Sequence, residues 1–320
     1  MADLFGDLVG QQQAVLLLEA ALNRGRVAPA YLFAGPDGVG RRLAALRFLE
    51  GVLQNGSENL RERRRLEARN HPDLLWVEPS YSHQGRLIPR SEADEAGVSK
   101  RTPPQVRLDQ VREVSRFLAR QPLESARGLV VIEDPEAMAE AAANALLKTL
   151  EEPGHGLLIL LSAAPDRLLT TIRSRCQQIS FTRLDPAQMT TVIERLDPEQ
   201  CAKATSAMAH AELQALAAGS PGALLSHADQ WQAVPESLRE RLTVLPTKPA
   251  EALGLARDLT EALSGEQQLW LISWWQHHLW YQKGEPQGLQ RLERLRSHLL
   301  AYVQPRLAWE VTLLDLLAMA

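Results

Sequence analysis

Residues 35–42, Gly-Pro-Asp-Gly-Val-Gly-Arg-Arg, keep the outline of a phosphate-gripping loop without the side chains that grip. A working loop reads G-x-x-x-x-G-K-[ST]. Its backbone N–H groups cradle phosphate, its Lys reaches the terminal phosphates, and its hydroxyl holds Mg2+. Gly35 and Gly40 keep the spacing, with Gly38 between them, but Arg41 and Arg42 stand at the Lys and Ser/Thr positions. An Arg side chain cannot ligate a cation, and a planar guanidinium is a poor substitute for a compact ammonium. The spacing describes an NTPase-like loop that has lost its own catalysis. Other groups suited to such chemistry end two apolar runs: Glu133 and Asp134 follow Leu129–Ile132, and Ser162 follows Leu157–Leu161.

Groups so far apart in sequence must be gathered at one edge of a sheet. The apolar runs Tyr31–Phe33, Leu74–Val77, Leu129–Ile132, Leu157–Leu161 and Ile179–Phe181 alternate with helical patterns. That order predicts a parallel five-stranded sheet covered on both faces. It puts the loop at the carboxyl end of a strand, where α/β sheets bind ligands. Asp134 followed by Pro135 predicts the cap and first residue of a helix over 135–152. Met138, Ala142, Leu146 and Leu150 give that helix an apolar stripe, Pro153-Gly154 ends it, and a further helix leads to Ser174-Arg175-Cys176. Residues 80–105, rich in Ser, Gly, Pro and charge, predict a long flexible loop. Beyond Arg183 the chain reads as helical to its end, opening at Asp185-Pro186 and punctuated at 219–222, 245–246, 284–286 and 304–305. Trp231, Trp270, Trp274, Trp275, Trp280 and Trp309 lie in this last third; a bundle core is the favoured reading and a subunit interface the alternative.

Composition narrows the functional classes. A chain of 320 residues suggests two or three domains, and 45% apolar content suffices for buried cores. No apolar stretch reaches the ~18 residues of a membrane span. The acidic start, Met-Ala-Asp-Leu-Phe-Gly-Asp, lacks the layout of a secretory signal. Two cysteines, Cys176 and Cys201, are too few for a disulfide framework or a cysteine zinc site, so a reducing cytoplasm is the expected setting. The eight histidines show no ligand spacing, and no structural metal is expected. A net charge of −4 argues against wholesale coating of DNA. The basic run at 61–69 has interspersed Glu, which favours a solvated, ion-paired helix face over a DNA contact.

Residues 128–176 carry the most specific signal. Asn144-Ala-Leu-Leu-Lys-Thr-Leu-Glu-Glu-Pro153 followed by Ser174-Arg175-Cys176 closely resembles the AAA+ subunits of the bacterial sliding-clamp loader. The resemblance covers at least residues 5–225, including Phe5-Gly-Asp-Leu-Val-Gly-Gln11 and Gly219-Ser-Pro-Gly-Ala-Leu224. It implies an α/β AAA+ module over 1–182, a helical lid over 183–227 and an all-α collar over 228–320. It implies a five-subunit ring in which each ATP site lies between neighbours, so Arg175 becomes an arginine finger acting in trans. The alternative is a structural Arg175 in a buried ion pair at a helix end, with Asp166 as a candidate partner.

The degenerate nucleotide site implied by the resemblance comprises Gly35, Gly38, Gly40, Arg41, Arg42, Glu133, Asp134 and Ser162. Family ATPases end the central strand with Asp then Glu, for metal positioning and water activation; here the order is reversed. The hydrolysing gamma/tau subunit has an intact loop, usually followed by a four-cysteine zinc module, and residues 54–72 contain no Cys. The broken loop therefore points to a non-hydrolysing subunit. It would need no cofactor of its own, and only weak nucleotide binding by backbone amides stays open. The implied partners are the gamma/tau ATPase and delta subunits, the sliding clamp and primed DNA. Lys148 and Thr149 are candidates for phosphate contact in the ring, with a solvated or intersubunit role as the alternative. Two other readings remain: a gamma-type ATPase tolerating Arg in the loop, and a DNA-binding module acting outside any ring.

Overall fold

Helix α1 (Gln12–Asn23) leads into strand β1 (Ala30–Ala34), whose alternating side chains serve two layers. Tyr31 and Phe33 point to one face and meet Phe48, the Tyr31 and Phe48 rings 5.0 Å apart edge to face. Ala30, Leu32 and Ala34 point to the other, into a cluster with Val130, Ile132, Leu158 and Leu160. Both faces are buried, so the strand reads as an unbroken apolar run. Each fully buried Leu or Ile of this sheet contributes about 1.5–3 kcal/mol over an exposed one. The computed structural model describes residues 4–54, 59–98, 103–154, 156–242, 246–283, 286–301 and 303–318. They form two compact units, Met1–Val192 and Ile193–Ala320.

The first unit continues through α2 (Arg41–Leu53), α3 (Leu60–Glu67), β2 (Leu74–Val77), β3 (Ser80–His83), β4 (Arg86–Pro89), α4 (Leu108–Ala119), β5 (Leu129–Glu133), α5 (Glu140–Glu151), β6 (Leu157–Ser162), α6 (Thr170–Arg173) and β7 (Gln177–Ser180). The parallel sheet runs β2-β5-β6-β1-β7. Ala34 pairs with Ser162 on one side and Ser180 on the other, while Glu133 pairs with Leu161. This register brings the carboxyl ends of β1, β5 and β6 level, so Gly35, Glu133 and Ser162 emerge at one edge.

Three local expectations are corrected. The last strand is Gln177–Ser180 rather than 179–181; it is an edge strand whose Gln177, Gln178 and Ser180 stay exposed, so it lacks a continuous apolar run. The segment from Ser80 is not a plain loop. β3 and β4 form an antiparallel hairpin, Ser80 bridges Gln105, and Tyr81 and Ala93 are buried. Residues 99–102 of that segment lie outside the described residues. Nor does Asp134 cap a helix at 135. Asp134 adopts φ +46°, Pro135–Ala137 form a short 3-10 turn, and α5 begins only at Glu140. Asp tolerates the left-handed region better than most residues. Ala142, Leu146 and Leu150 of the expected stripe are buried against the sheet.

The Arg-rich α3 is stitched into this unit. Arg63 meets Glu50 at 2.8 Å, Arg47 meets Glu67 at 2.9 Å, and Arg65 meets Glu124 at 2.8 Å. Glu50 is fully buried, so its two cations, Arg63 and Arg47, are what make its burial tolerable. The interspersed Glu residues of the run were one source of this pairing; carboxylates from other elements supply the rest.

Helix α7 (Pro186–Glu194) follows, and the second unit comprises α8 (Pro198–Met208), α9 (Ala211–Ala217), α10 (Pro221–Ala233), α11 (Glu236–Leu242), α12 (Pro249–Ala262), α13 (Gly265–Lys283), α14 (Pro286–Leu300) and α15 (Pro305–Leu317). Helices α12, α14 and α15 pack together, and α13 packs on α14 and α9. Trp274, Trp275 and Trp309 are buried in this unit. The Trp309 indole N–H donates to Gln268 Oε1 at 2.9 Å, and Trp231 stacks on Trp274 at 4.6 Å. Trp280 is 52% exposed. The tryptophans are thus mainly core, with Trp280 at the surface. Leu245, Gly284 and Glu285, at two of the expected breaks, lie outside the described residues.

Candidate functional site

The loop after β1 is shaped by glycine. Gly38 has φ +73° and Gly40 +106°, the latter beyond what L side chains adopt. At Gly35 a Cβ would lie 2.4 Å from the Phe181 carbonyl oxygen. The Gly35 N–H donates to the Ser162 carbonyl at 3.1 Å, tying the loop to β6. Helix α2 starts at Arg41 with no side-chain cap, so its first N–H groups face the loop as in a phosphate site. A cleft of about 450 Å3 lies here, lined by Gly38, Gly40, Arg41, Arg42, Glu133 and Asp134 among others.

Arginines line that cleft and engage its carboxylates. The Arg41 side chain is 7% exposed and pairs with Asp37 of the loop itself. Arg42 lies 3.7 Å from Glu133 Oε1 and 5.2 Å from the centre of the Trp76 ring. Arg69 stands 4.8 Å from the same ring and also reaches Glu133, at 3.5 Å. Arg90, delivered by the hairpin, meets Asp134 at 2.5 Å and Glu133 at 3.4 Å. The Trp76 indole N–H donates to Glu133 at 2.7 Å, and Arg69 pairs with Glu78 at 2.8 Å. Arg41, Arg42, Arg69 and Arg90 thus face Asp37, Glu78, Glu133 and Asp134, and the charges cancel within the protein.

The ionisation of these groups follows from burial and neighbours. Burial pushes the Asp134 carboxyl up, opposed by Arg90. Burial lowers the Arg42 guanidinium, which the Glu133 charge partly restores. Arg90 is held above its ordinary value because Asp134 and Glu133 outweigh its burial. Neither carboxylate at the end of β5 is left without a cation of the protein's own.

Ser162 stands apart from this group. Its side chain is fully buried and, among the described residues, its hydroxyl has no hydrogen-bond partner, so its contact with the loop is made by its carbonyl. Glu136, which the sequence did not single out, accepts the N–H groups of Ala163 and Ala164 at 2.9 Å each and so fixes the turn after β6.

Ser174-Arg175-Cys176 forms the turn between α6 and β7, and each residue has a separate task. Ser174 Oγ donates to the Thr171 carbonyl at 3.1 Å and closes the short helix. Cys176 packs against the core between sheet and helices, and burial pushes its thiol up to about 12. Such a thiol stays protonated and is no nucleophile. Arg175 lies between them, 36% exposed, and meets Glu151 at 2.8 Å. The expected alternative partner, Asp166, instead holds Arg173 at 3.0 Å. On α5, Lys148 is exposed beside Arg112 and Arg116 of α4 along one groove. Thr149 lines the same groove, its side chain mostly buried and sharing a 2.7 Å hydrogen bond with Ser115.

Residues 10–185 match the family model described as DNA polymerase III, delta subunit, and residues 187–316 match that of the cyanobacterial DNA polymerase III delta prime, C-terminal domain. The chain belongs to the DNA polymerase III, delta subunit family, whose model spans more than half of it.

Among delta-prime relatives, DNA polymerase III subunit delta' of Bacillus subtilis is 33% identical over 182 residues, 55% of this chain and 49% of that one. The same subunit of Pseudomonas aeruginosa is 34% identical over 206 residues, 62% of this chain and 55% of that one. The chain spans about half the length of these curated relatives. A solved DNA polymerase III gamma subunit-related protein from Thermotoga maritima superposes with a TM-score of 0.55 at 16% identity, covering 96% of this chain and 99% of that one. That likeness shows a shared fold. What family membership could not reveal from sequence is the closing of the loop by Trp76, Glu78, Arg69 and Arg90. Trp76 lies on β2, Arg69 and Glu78 flank that strand and Arg90 follows the hairpin, and the advance signals were the basic run at 61–69 and the charge within 80–105.

Proposed function

We propose that this protein is the delta-prime subunit of a DNA polymerase III clamp loader: catalytically inert itself, and supplying Arg175 to the ATP site of an adjacent subunit. The pairing of Glu133 and Asp134 with Arg42, Arg69 and Arg90 carries the first half. Mg2+ requires oxygen ligands in near-octahedral array. Arg42 replaces the hydroxyl ligand, and both carboxylates are already neutralised. The residues present do not fit a magnesium-bound nucleotide, and no step of hydrolysis is assigned to this cleft.

The exposed Arg175 at the family's Ser-Arg-Cys position supports the second half. A guanidinium at a transferring phosphoryl group stabilises transition-state charge and is worth about 10^3–10^5 in rate. A subunit lacking its own site can therefore remain necessary to its neighbour. In this reading the partners are the gamma/tau ATPase and delta subunits, the sliding clamp and primed DNA, and the setting is the cytoplasm. Among the described residues no helix is long and apolar enough to cross a membrane. Arg112, paired with Asp109, Arg116 and Lys148 line a groove that also carries Glu152 and offer phosphate contacts, which position DNA without reading sequence.

Mixing the purified chain with the ATPase and delta subunits tests this reading. A stable stoichiometric complex, together with no Mg2+-dependent ATP turnover by the chain alone, is expected. Turnover by the isolated chain, or failure to assemble, would contradict it.

A further inference from the structure

Arg175 is aimed rather than loose. Its Nη2 donates to Glu151 Oε1 at 2.8 Å and its Nη1 to the Thr171 carbonyl at 3.0 Å. Ser174 donates to the same carbonyl, so two residues of the turn converge on one acceptor. Cys176, partly buried against the core just after, holds the backbone on the far side. Nearby Arg173 is engaged by Asp166, and among the described residues the ion-pair partner of Glu151 is Arg175. Glu151 is the final residue of α5, where the helix dipole adds negative potential favourable to a guanidinium.

The side chains of Arg175 and Glu151 are 36% and 53% exposed. An ion pair so open to water adds little to stability. Its consequence is geometric. A guanidinium carries five N–H donors in a rigid fork. Two anchors set the plane and direction of that fork and leave its other donors available to an outside oxyanion.

We propose that Glu151 is a positioning residue: with the Thr171 carbonyl it holds the Arg175 guanidinium in the orientation that meets the terminal phosphate of a nucleotide bound by the adjacent subunit. This rests on the reading of Arg175 as a trans-acting finger. Misplacing a reacting group by about 1 Å can cost up to ~10^2 in rate. Loss of the anchor should therefore act on turnover, with nucleotide affinity, assembly and folding unchanged.

The test is steady-state ATPase of the reconstituted complex containing wild-type chain, Glu151→Ala, Glu151→Gln, Asp166→Ala or Arg175→Ala. Glu151→Ala should lower kcat about tenfold with KM for ATP unchanged. Glu151→Gln, which keeps a neutral acceptor at the same reach, should recover most of that loss. Asp166→Ala should match wild type, and thermal melts of the isolated variants should coincide. If Arg175→Ala lowers kcat while Glu151→Ala does not, or if Glu151→Ala raises kcat or changes only KM, the positioning role is overturned and the finger survives. If Arg175→Ala itself leaves kcat unchanged, the finger reading fails first and the positioning role falls with it.

Discussion

The Arg42 guanidinium lies 3.7 Å from the Glu133 carboxylate, at the loop position where an active phosphate loop carries a cation-binding hydroxyl. The side chain that replaces the metal's ligand also supplies a positive charge to the metal's acidic neighbour. Arg69, Arg90 and the Trp76 indole complete the shell around Glu133, which is 13% exposed.

Glu133→Gln should therefore be a stability variant. It removes the counter-charge shared by Arg42, Arg69 and Arg90, of which Arg69 keeps Glu78 and Arg90 keeps Asp134 at a partly exposed site, and should cost about 1 kcal/mol, read as a lowered urea midpoint. Equal or greater stability would show that the network does not hold the loop.

Asp73 makes the fold sensitive to acid. Burial acts to raise its carboxyl, but the N–H groups of Leu123, Glu124 and Ser125 and the Ser125 hydroxyl outweigh this and hold it below its ordinary value. Glu78 is depressed likewise: its burial is overcome by Arg69 and Ser91. The folded state binds fewer protons than the unfolded one. This stability is complete above the unfolded carboxylate values of about 4 and is lost as pH falls through the depressed folded values. Melting temperature should begin to decline below about pH 6.5, where burial keeps His227 and His277 from taking up protons that the unfolded chain binds, and fall more steeply below about pH 4 as the carboxylates protonate. Asp73→Asn should start lower and fall less steeply; an unaltered slope would remove Asp73 from the account.

Cys176 should resist alkylation in the folded protein. With its thiol at about 12, almost no thiolate exists at neutral pH. Iodoacetamide labelling followed by peptide mass spectrometry should find Cys176 modified only after unfolding. Equal labelling in native and denatured protein would contradict its packed, protonated state.

The sheet was readable because four of its strands are apolar on both faces, as Tyr31–Phe33 and Leu157–Leu161 show at once. β7 was misplaced because an edge strand needs burial at only one position, Ile179. The β3–β4 hairpin escaped notice because Ser, Gly and Pro signal a turn without saying what flanks it. Asp134 looked like a cap, but its left-handed backbone turns its carboxylate toward Arg90, and that partner comes from the overlooked hairpin. The loss of Lys and Ser/Thr at 41 and 42 was legible as chemistry. The self-neutralised shell was not, because sequence spacing carries no information on which distant charges meet. Arg175 could be named from its motif, whereas Glu151 is identified only by the fold that brings α5 to the turn before β7.

The ATPase rate of the reconstituted loader with Arg175→Ala in this chain tests the central claim most directly. The variant should fold and assemble normally, yet hydrolysis at the site it faces should fall by about 10^3-fold or more. An unchanged rate in a fully assembled complex would show that this guanidinium serves no neighbour.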